Sequence, residues 1–271
     1  MRGKFVVVVL ISALSLVIVG CGPSESEILT GVASAWTPTS ESTNTPVPSE
    51  SLAPTKTPVP TNTPLPTETP KPTNTPLPEG VLFRDDFEGE LQPGWEWENE
   101  NLNRWEITDD GWLQIIGEHD SLLGEHRQNN LLWYPLPVGD FVITVHLKTL
   151  PFENFQQATI YIYEDPENFI ALNRGYCDLC QTGGGGFFME YKISGDANAY
   201  QIATKAEDVY LRLESKDNII SGYYATEPDQ WQRIGRFGNY FQFQKVGIGV
   251  TNVRAANDVV GQFDYFEISL P

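Results

Sequence analysis

Residues 158–163 read Ala-Thr-Ile-Tyr-Ile-Tyr, and this strict alternation of side-chain types is the pattern that decides the fold class. Successive side chains of a β-strand point to opposite faces of its sheet. The alanine and the two isoleucines are therefore expected to face a core. The residues expected to face outward are Thr159, Tyr161 and Tyr163.

Eight further segments have short alternating or apolar patterns that are typical of strands. Turn sequences separate them, such as Asp-Pro-Glu-Asn at 165–168, and no amphipathic helical pattern reaches ten residues. We therefore predict an all-β fold, a two-sheet antiparallel sandwich of the jelly-roll kind. The eight segments are 112–116, 141–147, 169–172, 187–192, 209–213, 219–224, 246–250 and 262–268.

Several of these segments, in chain order, resemble a known family, the concanavalin A-like sandwich appended to family 43 β-xylosidases. That sandwich is a member of the concanavalin A-like lectin/glucanase superfamily. The resemblance implies the same sandwich fold for residues 80–271. It does not imply hydrolase activity, because no segment here matches the catalytic propeller that precedes the sandwich in those enzymes. The matching segments include Asp-Asp-Phe at 85–87, Trp-Glu-Trp-Glu-Asn-Glu-Asn at 95–101, Gln-Gln-Ala at 156–158 and Phe-Asp-Tyr-Phe-Glu-Ile at 263–268.

The first residues predict export of the protein. Arg2 and Lys4 precede an apolar run from 5 to 19, which is the pattern of a cleaved signal peptide over residues 1–20. The string Ile-Val-Gly-Cys that ends at Cys21 resembles the lipobox of bacterial lipoproteins, whose cysteine is acylated. We expect Cys21 to anchor the chain to the extracytoplasmic side of the cell membrane, since two or three acyl chains give stable attachment. The alternative is an ordinary signal peptide with an incidental cysteine.

A stretch rich in proline and threonine follows a short anchor segment, residues 21–36. Residues 37–79 hold 12 of the chain's 20 prolines, and Pro-Thr-Asn-Thr-Pro-Leu-Pro occurs at both 60–66 and 72–78. Such a composition forms no core and favours extended polyproline II structure. We therefore predict a disordered, semi-rigid stalk that carries the domain at 80–271. A proline-motif ligand for a partner domain is the alternative.

The chain is acidic, with 36 Asp and Glu against 17 Lys and Arg and a formal net charge of −19. Such a surface repels phosphate backbones and anionic headgroups. We expect no nucleic-acid partner, and contact with the membrane through the lipid anchor only. Neutral glycans and cations remain as ligands.

Two groups of residues could carry chemistry instead of structure. Glu96, Glu98 and Glu100 alternate, as do the paired acids of some glucanases, and would share one face of a strand. The structural interpretation is stronger, because the tryptophans and asparagines between them match the sandwich. A glycoside hydrolase that uses these glutamates is kept as the alternative function.

Cys177 and Cys180 are expected to form a local disulfide in an exported domain, with a shared zinc site as the alternative.

Metal binding is left open by the sequence. His119, Asp120 and His126 lie close together, but a zinc site needs three or four converging ligands, so we interpret them as a polar surface loop. No cofactor is predicted. Calcium is possible, because related sandwiches often hold this ion, and Asp86 and Asp264 are the candidate ligands.

An exposed aromatic face is the candidate ligand site. If their strands share one sheet, Tyr161, Tyr163, Arg212 and Tyr223 point outward together. Aromatic rings cover the C–H face of a sugar while charged groups bind its hydroxyls. We therefore predict a non-catalytic, lectin-like module for carbohydrate or another cell-surface ligand. A structural or protein-binding module is the further alternative. Trp95, Trp97, Trp105 and Trp231 are expected to pack in the core or at its edge.

Overall fold

The computed structural model describes residues 76–125, 127–253 and 255–271. Within these ranges the chain forms fifteen strands and one helix of four residues. No helix in these ranges has the length and apolar character that crossing a bilayer requires. The elements are β1 (Val81–Asp85), β2 (Glu96–Glu98), β3 (Trp105–Ile107), β4 (Leu113–Ile116), α1 (Leu122–Glu125), β5 (Leu131–Pro135), β6 (Phe141–Thr149), β7 (Gln156–Asp165), β8 (Asn168–Cys177), β9 (Gly184–Ile193), β10 (Asp196–Ala203), β11 (Asp208–Lys216), β12 (Ile219–Ala225), β13 (Gln232–Gly238), β14 (Lys245–Asn252) and β15 (Val260–Ser269).

The strands form two antiparallel sheets. Sheet A has the order β13-β12-β11-β6-β15-β4-β3, and β1 pairs with the far end of β15. Sheet B has the order β10-β9-β8-β7-β14-β5-β2. The predicted all-β, two-sheet sandwich is confirmed. The predicted signal peptide, the predicted lipidation site at Cys21 and residues 37–75 of the predicted stalk lie outside the described residues.

The core lies between the sheets and is built by the alternation seen in the sequence. In β7 the inward side chains are Ala158, Ile160 and Ile162, all fully buried, and in β11 they include Leu211 and Leu213. Trp95, Trp97 and Trp105 pack against this core as predicted. Burial of each large apolar side chain stabilises the fold by about 1.5 to 3 kcal/mol, so the continuous cluster is the main source of stability.

One strand departs from simple alternation. Phe263 and Phe266 are three positions apart, which would place them on opposite faces of a regular strand, yet both are fully buried. The pairing of β15 with β6 shifts register between Phe263 and Tyr265. This bulge inserts one residue, so Asp264 and Tyr265 both leave the core and the second phenylalanine returns to it.

A buried carboxylate fixes the end of β1. Asp85, 1% exposed, accepts hydrogen bonds from the backbone nitrogens of Phe87 and Gln92 and from the indole Nε1 of Trp95, at 2.8 to 2.9 Å. Burial raises the pKa of Asp85 despite these three donors. Phe87 adopts a positive φ of 53° in the turn that follows. The Asp-Asp-Phe motif at 85–87 is thus explained by structure.

Gly235 in β13 supplies the first testable prediction. The ring of Tyr200 in β10 lies against this glycine, and a Cβ atom at position 235 would overlap the ring. Tyr200 also donates its hydroxyl to the Arg236 carbonyl at 2.9 Å, which holds the ring in place. We expect Gly235→Ala to lower the free energy of unfolding by about 1 to 2 kcal/mol, the usual range for overpacking. Urea unfolding measures it.

Gly124 is a matched control for this prediction, because nothing lies within 4 Å of a Cβ atom built there. Gly124→Ala is expected to leave the free energy of unfolding unchanged or to raise it by up to about 1 kcal/mol, because alanine favours the helix α1 more than glycine does. Equal stability of the wild-type chain and the Gly235→Ala variant would show that Tyr200 does not pack as described.

Candidate functional site

The four residues predicted to form one ligand face do not share a sheet. Tyr161 and Tyr163 lie in β7 of sheet B, whereas Arg212 in β11 and Tyr223 in β12 lie in sheet A. The outward surfaces of the two sheets are on opposite sides of the core. The prediction of a single shared face is therefore wrong, because strand order depends on long-range pairing that alternation does not encode.

Tyr161 faces away from the inter-sheet core, as its alternation indicates, but it is only 2% exposed. It packs in a second apolar cluster with Leu122, Trp133 and Phe169, and its hydroxyl donates to Gln128 Oε1 at 2.7 Å. The segment that contains Gln128 covers this part of sheet B. Burial raises the pKa of Tyr161 well above its ordinary value. The expectation that Tyr161 is an exposed contact is corrected.

Tyr163 is half-buried and packs against the same cluster, where Trp133 contacts both tyrosines. The ammonium of Lys245 lies 4.0 Å from the centre of the Trp133 ring and 4.8 Å from that of Tyr163. Glu98 Oε2 accepts from the Trp133 indole at 2.7 Å and from Lys245 Nζ at 3.2 Å. These contacts satisfy the charges of both Glu98 and Lys245 within the protein.

The acidic alternation at residues 96–100 does not form a row of three carboxylates. Strand β2 ends at Glu98, and Asn99 has a positive φ of 52°, so the chain turns before Glu100. Of the three predicted partners, only Glu96 and Glu98 share a strand face. The expected shared face for all three is wrong.

The outward face of sheet A carries a continuous group of aromatic and basic side chains, which we call the aromatic face. Cross-strand register creates it, since β11 lies between β6 and β12 and β15 lies beyond β6. Its members are Trp112, His146, Tyr210, Arg212, Tyr223, Trp231 and Tyr265. All of them are partly exposed.

His146 lies at the centre of the aromatic face. Its ring stacks on Tyr210 with centroids 4.2 Å apart and an interplanar angle of 10°, and the Trp112 ring lies 5.3 Å away. Its Nδ1 is 2.8 Å from Asp264 Oδ2, and its Nε2 is 2.6 Å from Asp208 Oδ1. Burial opposes ionisation of Asp208, but hydrogen bonds from His146 and Lys148 outweigh it and lower its pKa. The carboxylates thus hold the imidazole rigidly.

Arg212 has a different environment from the other basic residues of this face. Its guanidinium carbon lies 3.9 Å above the centre of the Trp231 ring, and Nε donates to Thr144 Oγ1 at 3.3 Å. Among the described residues, no carboxylate lies within 4 Å of it, and its two terminal nitrogens have no acceptor. Burial lowers its pKa. Arg212 therefore presents unused donors beside Tyr223, its cross-strand neighbour.

Arg84, at the β1 side of this face, is fully engaged. Arg84 forms ion pairs with Asp86 at 2.6 Å and Glu267 at 2.9 Å, and its guanidinium lies 4.1 Å from the centre of the Tyr265 ring. Asp86 is thus paired with Arg84, and Asp264 contacts His146. The two aspartates predicted as calcium ligands are each held by a basic side chain in this structure.

The remaining predicted residues lie outside the aromatic face. His119 and Asp120 line an open depression of about 610 Å³ with Arg104 and Asp258, while His126 is outside the described residues. In the described ranges no group of three or more His, Cys, Asp or Glu side chains could hold a metal ion. Cys177 and Cys180 are joined by a disulfide at the tip of the β8–β9 hairpin.

Within the described residues, two antiparallel sheets enclose one core with almost no helix, which is the architecture of a concanavalin A-like β-sandwich. The sequence model of the Beta xylosidase C-terminal Concanavalin A-like domain matches residues 84–269. The chain belongs to this family. No curated protein matches it.

Solved structures with the same fold include family 43 enzymes. A GH43 protein from Bacillus licheniformis is 19% identical with a TM-score of 0.62, over 69% of this chain and 39% of that chain. A xylan beta-1,4-xylosidase from Bacillus halodurans is 18% identical with a TM-score of 0.58, over 75% and 41% respectively. This chain therefore spans about two fifths of those proteins. A protein of unknown function from Saccharomyces cerevisiae is 11% identical with a TM-score of 0.50, over 66% and 97%.

Part of the aromatic face could be read from the sequence. Alternation around Leu211 and Leu213 places Tyr210 and Arg212 outward, as the structure shows. Trp231 was expected in the core or at its edge, and the structure places its ring against Arg212 on the outward face. His146 gave no signal, because it lies inside an apolar strand and its two aspartate partners are 62 and 118 residues away.

Proposed function

We propose that this protein is a cell-surface lipoprotein whose sandwich binds a neutral glycan without cleaving it. Acylated Cys21 anchors the chain, the segment at 37–79 acts as a stalk, and the aromatic face of sheet A forms the binding surface. The observation that carries the proposal is the position of Arg212. It is stacked on Trp231, and its two terminal nitrogens, which have no acceptor among the described residues, lie beside the partly exposed ring of Tyr223.

The chemistry of this face suits a sugar. The partly exposed ring of Tyr223 offers flat apolar surface for the C–H face of a pyranose, and Arg212 offers donors for its hydroxyls. Tyr210 and Tyr265 flank them, each with one ring face covered, by His146 and Arg84 respectively. Stacking on Trp231 orders the guanidinium before the ligand arrives, which reduces the entropy lost on binding. The net charge of −19 disfavours anionic polymers.

We propose binding without cleavage because the carboxylates near the two groups of aromatic side chains already bind other side chains of the protein. Glu98 is committed to Trp133 and Lys245, and the two acids beside His146 are committed to that ring. A retaining glycosidase instead needs two carboxyl groups about 5 Å apart on either side of the scissile bond. The activities of the family 43 enzymes belong to those longer proteins.

Sedimentation of the full chain with insoluble xylan, cellulose and bacterial cell-wall glycan tests the proposal. We expect retention on at least one of them, with no reducing ends released during prolonged incubation. Release of reducing ends that is lost in Glu98→Gln would instead identify a hydrolase. Absence of both retention and release would favour a structural or protein-binding module.

The anchor has its own test. Mass spectrometry of the chain purified from membranes of its native host is expected to show an N-terminal peptide that begins at Cys21 and carries acyl chains. An unmodified Cys21 thiol in the mature protein would contradict lipid anchoring.

A further inference from the structure

An open groove lies at the end of sheet A where β6 ends and β15 begins. Its volume is about 500 Å³, and its walls come from the ends of these strands and from the β6–β7, β10–β11 and β14–β15 connections. Three large apolar side chains that line it are exposed: Leu150 (55%), Phe152 (48%) and Val260 (38%). Exposed apolar side chains around an opening of this size are typical of a ligand-binding groove.

Hydrogen bonds hold the walls of the groove in place. Thr149 joins two of them, because its Oγ1 donates to the Val260 carbonyl at 2.9 Å and its backbone nitrogen donates to the Glu207 carbonyl at 2.9 Å. Gln156 is fully buried and fixes a third wall, since its Oε1 accepts from the backbone nitrogen of Phe152 at 2.8 Å. The groove is therefore formed before a ligand arrives, which reduces the entropy lost on binding.

The groove continues from the aromatic face. Lys148 and Asp208 both line the groove. The Lys148 ammonium also lies 4.3 Å from the centre of the Trp112 ring, and Asp208 contacts the imidazole of His146. Arg212 is four positions from Asp208 along β11, which corresponds to about 13 Å. A glycan of several sugars that contacts Arg212 can therefore extend to the groove, whereas one pyranose cannot touch both.

The side chains of the groove define the group that it can hold. The ring of Phe152 and the two exposed aliphatic side chains favour a flat apolar group over a hydroxyl-rich sugar. Two of the three carboxylates at the opening, Asp208 and Asp258, are paired with basic side chains, so the groove does not require a cation. Together with Glu207 they repel an anionic group.

We propose that the groove holds an uncharged aryl substituent of the glycan that lies on the aromatic face. The glycan part of this inference rests on the proposed function. The aryl site rests on the groove alone, so the two can fail separately.

Saturation-transfer NMR on the full chain tests the aryl site, with phenyl β-D-xyloside and phenyl β-D-glucoside as probes and the two methyl glycosides as references. We expect the phenyl probes to bind with a Kd of roughly 1 mM, as is usual for ligands of this size. Transfer should be strongest to the phenyl protons. The methyl glycosides should bind about fivefold more weakly or less, because they lack the ring.

Phe152→Ala is expected to weaken binding of both phenyl probes by about fivefold or more. Val260→Thr, which keeps the shape of valine and adds a hydroxyl to the groove, is the second variant if the first does not fold. Phe155→Ala is the matched control and should leave phenyl binding unchanged. Phe155 is an exposed phenylalanine of the same loop, but it lines a neighbouring depression and not the groove.

Isothermal titration calorimetry with longer probes tests whether the groove extends the glycan site. For the sugar that the aromatic face takes, we expect the phenyl β-glycoside of xylotetraose or cellotetraose to bind about fivefold more tightly than the methyl β-glycoside. In Phe152→Ala this difference should disappear while the affinity of the methyl glycoside stays the same. A general effect on the fold would instead weaken both.

Equal binding of phenyl and methyl monoglycosides, or unchanged phenyl binding in folded Phe152→Ala, would overturn the inference. Loss of phenyl binding in Phe155→Ala alone would contradict it by placing the aryl group in the neighbouring depression. Glycan retention without any preference for phenyl probes would refute the groove and leave the proposed function standing. Binding of phenyl monoglycosides without binding of any longer glycan would refute the proposed function and leave the aryl site.

Discussion

Arg212→Ala is expected to weaken binding of the retained glycan by about 10- to 100-fold, measured by isothermal titration calorimetry on the full chain. A hydrogen bond to a charged donor contributes about 1.5 to 3 kcal/mol when its partner would otherwise be left unpaired. Neither terminal nitrogen of Arg212 has an acceptor in the described part of the chain, so both can donate to the ligand. The substitution removes them and also leaves the Trp231 ring uncovered.

Lys245→Ala is the matched control for Arg212→Ala. Both side chains are half-buried cations that lie about 4 Å over a tryptophan ring, but Lys245 belongs to sheet B and is paired with Glu98. We expect Lys245→Ala to leave glycan affinity unchanged within a factor of two. Equal loss in both variants would indicate a general effect on the fold, and loss in Lys245→Ala alone would place the glycan on sheet B.

Glu190→Gln is expected to stabilise the fold at pH 8 by about 2 to 3 kcal/mol and to have little effect at pH 4. Burial raises the pKa of Glu190, in β9 of sheet B, from 4.5 to about 7 in the folded chain. Between these values the folded state binds the proton more tightly than the unfolded state does, so stability falls as the pH rises. Each unit of difference corresponds to about 1.4 kcal/mol. Glutamine removes this penalty and keeps an acceptor for Asn173 and Gln157.

The measurement is the difference in unfolding free energy between variant and wild type at several pH values from 4 to 8. Taking the difference cancels the contributions of the other acids. Glu214→Gln, at a half-buried glutamate of β11 in the other sheet, is the control and should change the free energy of unfolding by less than about 0.5 kcal/mol. A flat profile for Glu190→Gln would contradict an enclosed carboxyl at position 190.

The strands of the fold were largely predictable because alternation is a local signal. All nine predicted segments lie in strands, apart from Trp112 at the start of one. Six strands contain none of the predicted segments: β1, β2, β3, β5, β10 and β13. Of these, β10 (Asp196–Ala203) is a sheet edge with no fully buried residue, so its sequence shows little alternation. The bulge that returns Phe266 to the core could not be predicted from the sequence either, since it depends on the pairing of β15 with β6.

The candidate site was predictable only in part, because it depends on which strands become neighbours. Alternation correctly turned Arg212 and Tyr223 outward, but it could not assign them to a different sheet from Tyr163. Nor could it show that the segment around Gln128 covers Tyr161, since 33 residues separate the two. Long-range pairing therefore decided both corrections.

The most direct test of glycan binding by sheet A is an NMR titration that follows the tryptophan indole signals of the full chain. The account predicts that the retained glycan shifts the signals of Trp231 and Trp112, which belong to the aromatic face, and leaves that of Trp133 in sheet B unchanged. Shifts confined to Trp133, or no shift in any indole at saturating glycan, would contradict it.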